Sequence, residues 1–284
     1  MLRLAGLVLL VAVTAHAASP RCQQPATPPQ RVVSLTPAIT ETLFAIEAGP
    51  QVAGVSDYCV DPPEAMKLPR LGTTMAPNYQ GIARATPGLI LAEEGMHVRA
   101  PELRALAPTC LLPWTTLDDV LGGMRELGRL TGHAAAADDL ADLLGARLSA
   151  KPPATAPRVL LVLASEDATV DDVWFIQRNS IQGSALGAAG GRNAVDEDVT
   201  GFPRMNRQRL LKIAPDIVIL LLPKPDPGAA QKLLAAWKQL PTLPAVRANR
   251  IAVIDAPEAF VSGPRILTLM DRLSAELRRF AATP

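Results

Sequence analysis

Apolar residues in the middle of the chain follow a helical period over a long stretch. They recur at steps of three and four, and the row consists of Val120, Met124, Leu127, Leu140, Leu144 and Leu148. Thr116 and Asp119 have the spacing of an N-terminal capping box, and Pro152 marks the far end. The pattern predicts one helix over residues 115–150, about 50 Å long at about 1.5 Å per residue. Two ordinary helices, broken near Gly128 and Gly132, are the alternative.

On both sides of this stretch, short apolar runs alternate with amphipathic helical segments. The alternation covers residues 31–114 and begins again over residues 155–284. It is typical of a parallel sheet with helices on its faces. The chain therefore predicts an α/β fold, with two Rossmann-like lobes of parallel sheet joined by one long backbone helix.

One segment recurs in the two halves. Asn78 and Gln80 precede an aliphatic residue, a base and a proline that leads into a buried strand, and Asn206 and Gln208 stand in the same register. Each asparagine suits a helix N-cap, and each proline suits the start of the following strand. The shared polar positions predict two related lobes that face each other.

The N-terminus has the pattern of an export signal. A basic start, an apolar run and a small-x-small site predict a signal peptide over residues 1–17, followed by a Pro-rich leader over residues 18–30. Pro20 and Arg21 stand directly before Cys22, where a lipid anchor would need small residues. We therefore expect a soluble periplasmic protein after signal cleavage.

Composition and charge exclude several function classes. The formal net charge is +1 without a basic stripe, which argues against nucleic acid as a partner. Beyond the signal peptide only His97 and His133 remain, too few for a multi-histidine metal site. Nucleophile-elbow, phosphate-loop and zinc-protease motifs are absent from the sequence, so an enzyme is disfavoured.

Three cysteines leave the thiol chemistry open. Cys59 follows one predicted strand and Cys110 begins another, so a bridge between them fits an oxidising compartment and leaves Cys22 over. Free thiols fit the sequence equally well, because spacing alone does not place two Cα atoms within reach.

Three segments carry a family resemblance. Residues 31–41, residues 54–65 and residues 117–132 resemble periplasmic binding proteins of ABC importers whose lobes are joined by a rigid helix, the receptors for cobalamin, haem and iron siderophores. The loop after Tyr58 and the segment Asn179 to Gln182 look most like the cobalamin receptors. The resemblance implies a monomer that captures a metal-bearing cofactor between its lobes and delivers it to a permease with its ATPase. An exported enzyme or sensor domain using the same cleft is the rival from another class.

The resemblance also implies site residues. Tyr58 matches a tyrosine that contacts the corrinoid, and Phe202 falls where the family has an aromatic residue. Two expected tryptophans are replaced, one by Thr74 or Met75 and the other by Glu93. For haem, the axial candidates are Tyr58, Tyr79 and His97. For a ferric siderophore, the candidates are Trp174, Arg178 and Arg204.

The predicted docking surface departs from the family. Cobalamin receptors are expected to present one glutamate on each lobe to arginines of the permease, whereas the matching positions here are Gln80 and Gln208. An amide accepts a hydrogen bond from arginine but lacks the charge that strengthens such a pair and steers encounter. We therefore expect a different pocket in the partner permease, or weaker docking.

Overall fold

A computed structural model describes residues 21–282, except residues 166–168, 200, 202 and 225–226. The predicted signal peptide and Phe202 lie outside the described residues. In the described part of the chain, none of the helices combines the length and the apolar character needed to cross a membrane.

The first lobe contains a five-stranded sheet. Its strands are β1 (Arg21–Cys22), β2 (Val32–Ser34), β3 (Val52–Val55), β4 (Leu89–Glu93) and β5 (Thr109–Leu112). Their order is β1-β5-β4-β2-β3, and all neighbours are parallel except the edge strand β1. The helices of this lobe are α1 (Pro37–Ala45), α2 (Tyr79–Arg84) and α3 (Ala100–Arg104). The parallel strands are almost wholly buried, as expected when helices cover both faces of a sheet.

The predicted single helix over residues 115–150 is wrong. The stretch forms two helices, α4 (Leu117–Thr131) and α5 (Ala134–Leu148), which pack against each other. Gly132 ends α4 in the left-handed conformation, with φ of 83°, which a glycine adopts without steric cost. The predicted capping box of Thr116 and Asp119 is confirmed.

The two helices form an antiparallel hairpin. Arg125 on α4 donates to Asp142 on α5 at 2.6 Å, and a Cβ atom at Gly128 would collide with the Cβ of Ala137. The hairpin lies between the lobes, because α4 contacts α1 while α5 contacts helices of the second lobe. The lobes are therefore joined by a packed pair of helices instead of an extended rod.

The second lobe contains a four-stranded sheet and a small two-stranded one. Its strands are β6 (Arg158–Leu163), β7 (Asp172–Trp174), β8 (Arg192–Asn193), β9 (Arg204–Asn206), β10 (Ile217–Leu222) and β11 (Ile251–Asp255). The order β11-β10-β6-β8 is parallel throughout, and β7 pairs with β9 antiparallel. The helices are α6 (Ile181–Ala188), α7 (Arg207–Ile213), α8 (Pro227–Lys238), α9 (Pro244–Arg247) and α10 (Ile266–Ala282). The predicted α/β class with two lobes of mainly parallel sheet is confirmed.

One apolar core joins the lobes. A single cluster of buried side chains contains Ile39 of α1, Leu127 of the hairpin, Val159 of β6 and Leu269 of α10. Two smaller clusters fill the far face of each sheet. The lobes therefore share one continuous interior, which runs through the helix hairpin.

The predicted pairing of Cys59 with Cys110 is wrong, and Cys22 is not left over. Cys22 forms the disulfide with Cys110, while Cys59 is a buried free thiol. The cause is the strand order: β1 places Cys22 directly opposite Cys110 on β5. Cys59 follows β3, which lies at the other edge of the same sheet.

Candidate functional site

A cavity of about 290 Å³ lies where the two lobes face each other. Its walls come from the carboxyl ends of parallel strands in both lobes, the usual position of ligand sites in open α/β sheets. The first lobe and the segment after it contribute Pro37, Ala38, Glu93, Trp114 and Thr115. The second lobe contributes Leu163, Phe175, Ile176, Gln177, Ser180, Gln182, Ala259, Phe260, Val261 and Ser262.

Two helices begin at this cavity, one from each lobe. Pro37 and Ala38 form the start of α1, whose preceding residue Thr36 makes no side-chain cap. On the opposite wall Ser180 caps α6, and its hydroxyl accepts from the Gly183 N–H at 3.0 Å. The first turns of helices carry N–H groups without intrahelical partners, so these positions favour hydrogen-bond acceptors.

Among the described residues of the cavity wall, Glu93 is the one with an acidic or basic side chain. It is the last residue of β4 and is half-buried, so it lines the cavity while the protein covers part of it. Burial raises the pKa of Glu93 from an ordinary 4.5 to about 7, and the nearby Thr36 hydroxyl opposes the rise. The group therefore changes charge near neutral pH.

A segment of the second lobe closes one side of the cavity. This strap, residues 257–265, precedes α10 and supplies the cavity wall from Ala259 to Ser262. The indole N–H of Trp114 donates to the Ser262 carbonyl at 2.8 Å, and the Gln182 amide donates to the Ala259 carbonyl at 3.1 Å. The cavity wall is thus fixed from both lobes.

An ion pair fastens the end of the strap to the first lobe. Arg265 contacts Glu41 of α1 at 2.5 Å and Asp61 at 3.4 Å. Glu41 is 5% exposed and one of its oxygens, Oε2, has no hydrogen-bond partner. Burial raises the pKa of Glu41 even though Arg265 opposes the rise. The sequence does not predict this pair, because the two residues lie 224 positions apart.

Exposed apolar side chains stand on the loops at the same edge of the first sheet. Tyr58 is 63% exposed, Met75 79% and Val98 67%. These three loops are tied together, since the Asp57 N–H donates to the Gly72 carbonyl at 2.9 Å and the Arg99 guanidinium donates to the Met75 carbonyl at 3.1 Å. We call Tyr58, Met75 and Val98 the apolar rim.

The remaining residues predicted from the sequence lie outside the cavity wall. Thr74 is half-buried beside Met75, and His97 is exposed, with its Nδ1 3.2 Å from the Glu94 carbonyl oxygen. Tyr79 has a buried phenol oxygen on α2. Of the predicted ligand-binding residues, Glu93 alone lines the cavity among those that the structure describes.

The predicted residues of the second lobe form charged pairs. Arg204 stacks on Trp174, 4.7 Å from the ring centre, and donates to Asp172 at 2.9 Å. Arg178 donates to Asp198 at 2.8 Å. The guanidinium groups of both arginines are therefore already neutralised by a carboxylate.

The two members of the sequence repeat occupy equivalent places. Gln80 lies in the first turn of α2 and Gln208 in the first turn of α7, and both are exposed. Asn78 and Asn206 cap these helices as predicted, each accepting a backbone N–H at 2.9 Å. The repeat therefore places one exposed glutamine on each lobe.

Within the described residues, the one group of neighbouring metal-ligating side chains is Cys22, Cys110 and Glu126, and its two cysteines form the disulfide. None of these three residues lines the cavity.

Comparisons with known proteins agree with this architecture. The chain is 27% identical over 272 residues to a vitamin B12-binding protein of Pectobacterium atrosepticum, covering 90% of this chain and 91% of the relative. A periplasmic vitamin B12 binding protein of Vibrio cholerae has a TM-score of 0.70 and 21% identity, covering 90% of this chain and 99% of that one. A periplasmic haem binding protein of Vibrio cholerae has a TM-score of 0.72 and 21% identity, covering 87% and 98%. Residues 32–258 match the family model of the periplasmic binding proteins, and the chain belongs to that family.

Proposed function

We propose that this protein is the substrate-binding component of an ABC importer and that its ligand is a corrinoid, with cobalamin as the first candidate. Family membership and the vitamin B12-binding relative support the transport role and the ligand class. In this proposal residues 1–17 are a cleaved signal peptide and the mature chain acts in the periplasm as a monomer.

The observation that carries the ligand assignment is the charge of the cavity wall. Its described residues include two glutamines, hydroxyl groups and one glutamate, but no arginine, lysine or histidine. Corrinoids carry neutral amides around the ring, which suit such a wall. Haem propionates and many ferric chelates are anionic and would be desolvated there without a cation.

The apolar rim supplies the area that a large macrocycle needs. The cavity is at the lower limit of the volume of ligand pockets, which is about 300 Å³, so the ring lies across the mouth while its side groups enter. Tyr58 and Met75 on the first lobe and Phe260 in the cavity wall of the second lobe are exposed and would contact the ring. Aromatic and thioether surfaces contact flat ligands favourably.

Haem is the second candidate, because Tyr58 and His97, both potential axial ligands, are exposed on loops that follow the carboxyl ends of β3 and β4. A corrinoid, by contrast, can hold its own axial ligands. A ferric siderophore is less favoured, because Arg178 and Arg204 are already paired with carboxylates. In either case the protein binds and releases its ligand without covalent chemistry, in contrast to an exported enzyme or sensor domain.

An absorbance titration tests the identity of the ligand. Purified protein is titrated with cyanocobalamin, haem and a ferric hydroxamate, and binding is followed from the shift of each ligand's bands. We expect saturable binding of cyanocobalamin at one equivalent and weaker binding of the other two. Tight binding of haem with a Soret shift that Tyr58→Phe or His97→Ala abolishes would assign the site to haem instead.

Docking to the permease is a separate proposal. The exposed Gln80 and Gln208 take the positions where charged pairs are expected, so we propose docking through neutral hydrogen bonds with a shallow dependence on salt. Docking to the cognate permease in nanodiscs should weaken less than about threefold between 50 and 300 mM salt. The control is the Gln80→Glu, Gln208→Glu double variant. A steep dependence of docking affinity on salt in the natural protein would contradict the proposal.

A further inference from the structure

We propose that Glu93 is the specificity-determining residue of the cleft: its carboxyl accepts from a carboxamide of the ligand and excludes a carboxylate at the same place. The inference rests on the proposed function, because it concerns a ligand whose edge carries amides. It goes further by assigning the discrimination to one side chain.

The surroundings of Glu93 match both ends of a primary amide. Pro37 and Ala38, the start of the nine-residue helix α1, line the same cavity as Glu93, and α1 has no capping side chain. Pro37 has no N–H, so in this first turn the Ala38 N–H is the group that can donate to an amide carbonyl, while the Glu93 carboxylate accepts from the amide NH₂. A ligand carboxylate could use the helix start, but it would bring a second negative charge against Glu93.

In the part of the cavity wall that the structure describes, no cationic side chain is present to relieve that repulsion. Burial is the main cause of the raised pKa of Glu93, and no charged neighbour contributes to it. Of the groups on adjoining elements, Glu94 and His97 lie on the following turn, Arg99 binds the Met75 carbonyl, and Glu41 of α1 pairs with Arg265. Two carboxylates meeting at Glu93 would therefore have to share a proton.

The same geometry predicts a dependence on pH. Above neutral pH the ionised Glu93 accepts from an amide and repels a carboxylate. At pH 5.5 the carboxyl holds its proton, because its pKa is raised to about 7, and it can donate to a ligand carboxylate. The preference for the amide should therefore be large at pH 8 and small at pH 5.5.

The test uses cyanocobalamin and its b-, d- and e-monocarboxylic acids, in each of which one propionamide is hydrolysed. At pH 8 we expect the affinity of the natural protein for cyanocobalamin to exceed its affinity for at least one of the acids by a factor of about ten or more. This ratio corresponds to the free energy of a hydrogen bond to a charged group. At pH 5.5 this ratio should fall below about threefold. In Glu93→Gln the ratio at pH 8 should fall below about threefold, whatever the variant's own affinity for cyanocobalamin, because a glutamine accepts from an amide and also donates to a carboxylate.

The control is Glu102→Gln, which removes an exposed carboxylate on α3 and should keep the natural ratio. Equal binding of all four compounds by the natural protein at pH 8, or an unchanged ratio in Glu93→Gln, overturns the role of Glu93 while leaving corrinoid transport intact. If the natural protein binds no cyanocobalamin, the proposed function fails and this inference fails with it. The pH series on the natural protein tests the inference independently of how the variant folds.

Discussion

Substituting Arg265 by alanine should destabilise the protein through a residue at the opposite end of the chain. The variant leaves Glu41 buried at 5% exposure, with its nearest cation removed. The carboxyl must then remain charged without a partner or take up a proton. Either state raises the free energy of the folded protein relative to the unfolded chain.

The expected loss follows from the exposure of the pair. Removing one partner of a buried ion pair costs about 3–5 kcal/mol. The Arg265 side chain is 29% exposed, so water screens part of the interaction, and we expect about 2–3 kcal/mol at pH 7.5. Proton uptake by Glu41 limits the loss, because the neutral carboxyl is less costly to bury.

The pH dependence gives the sharper test. The folded-state pKa of Glu41 is raised above 4.5, so the folded protein binds more protons than the unfolded chain and stability falls as the pH rises above about 4.5. Removing Arg265 raises the folded-state pKa further, which widens this window. The difference between the natural protein and the variant should therefore be largest at pH 7.5 and shrink towards pH 4.

Urea denaturation at pH 4 and pH 7.5 measures both free energies of unfolding. The matched control is Arg147→Ala, which removes an exposed ion pair with Asp271 between α5 and α10 and should cost less than about 0.5 kcal/mol at either pH. Equal losses for the two variants, or a loss for Arg265→Ala that does not depend on pH, would refute the reasoning.

Three further predictions concern stability. Gly128→Ala should destabilise the hairpin because its Cβ has no room, whereas Gly122→Ala on the exposed face of the same helix should gain about 0.5–1 kcal/mol, as urea denaturation would show. The Cys22→Ala, Cys110→Ala double variant should lose up to about 4–5 kcal/mol, since the bridge spans 88 positions, and peptide mapping should find one free thiol in the natural protein. Glu93→Gln should gain about 2–3 kcal/mol at pH 8 and nothing at pH 4, because a pKa raised from 4.5 to about 7 costs stability across that window; equal melting curves at pH 8 would contradict it.

Local chemistry accounts for what could be predicted from the sequence. The capping box at Thr116 and the caps at Asn78 and Asn206 each depend on residues three positions apart. The local sequence is therefore enough to predict them. The buried strands were equally clear, since uninterrupted apolar runs between helical segments leave few alternatives.

The errors have two sources. The apolar period is the same in one long helix and in two helices, so it did not show that the chain turns at Gly132 and packs Gly128 against Ala137. The others concern contacts between distant residues. Cysteine pairing depended on strand order, which places Cys110 beside β1 and far from Cys59. Of the cavity wall, Glu93 was predicted, whereas Trp114 and the strap depend on how the lobes meet.

The shared interior has a consequence for how the chain would mature under the proposed export. The first lobe would cross the membrane before the strap and α10, yet the apolar cluster around Ile39 includes Leu269, and Glu41 pairs with Arg265. Until those later segments have crossed, the first lobe would expose apolar surface and a carboxyl group without their native contacts. We expect the first lobe to reach its native structure only after α10 has been translocated, which leaves a period in which holding factors and proteases compete for the chain.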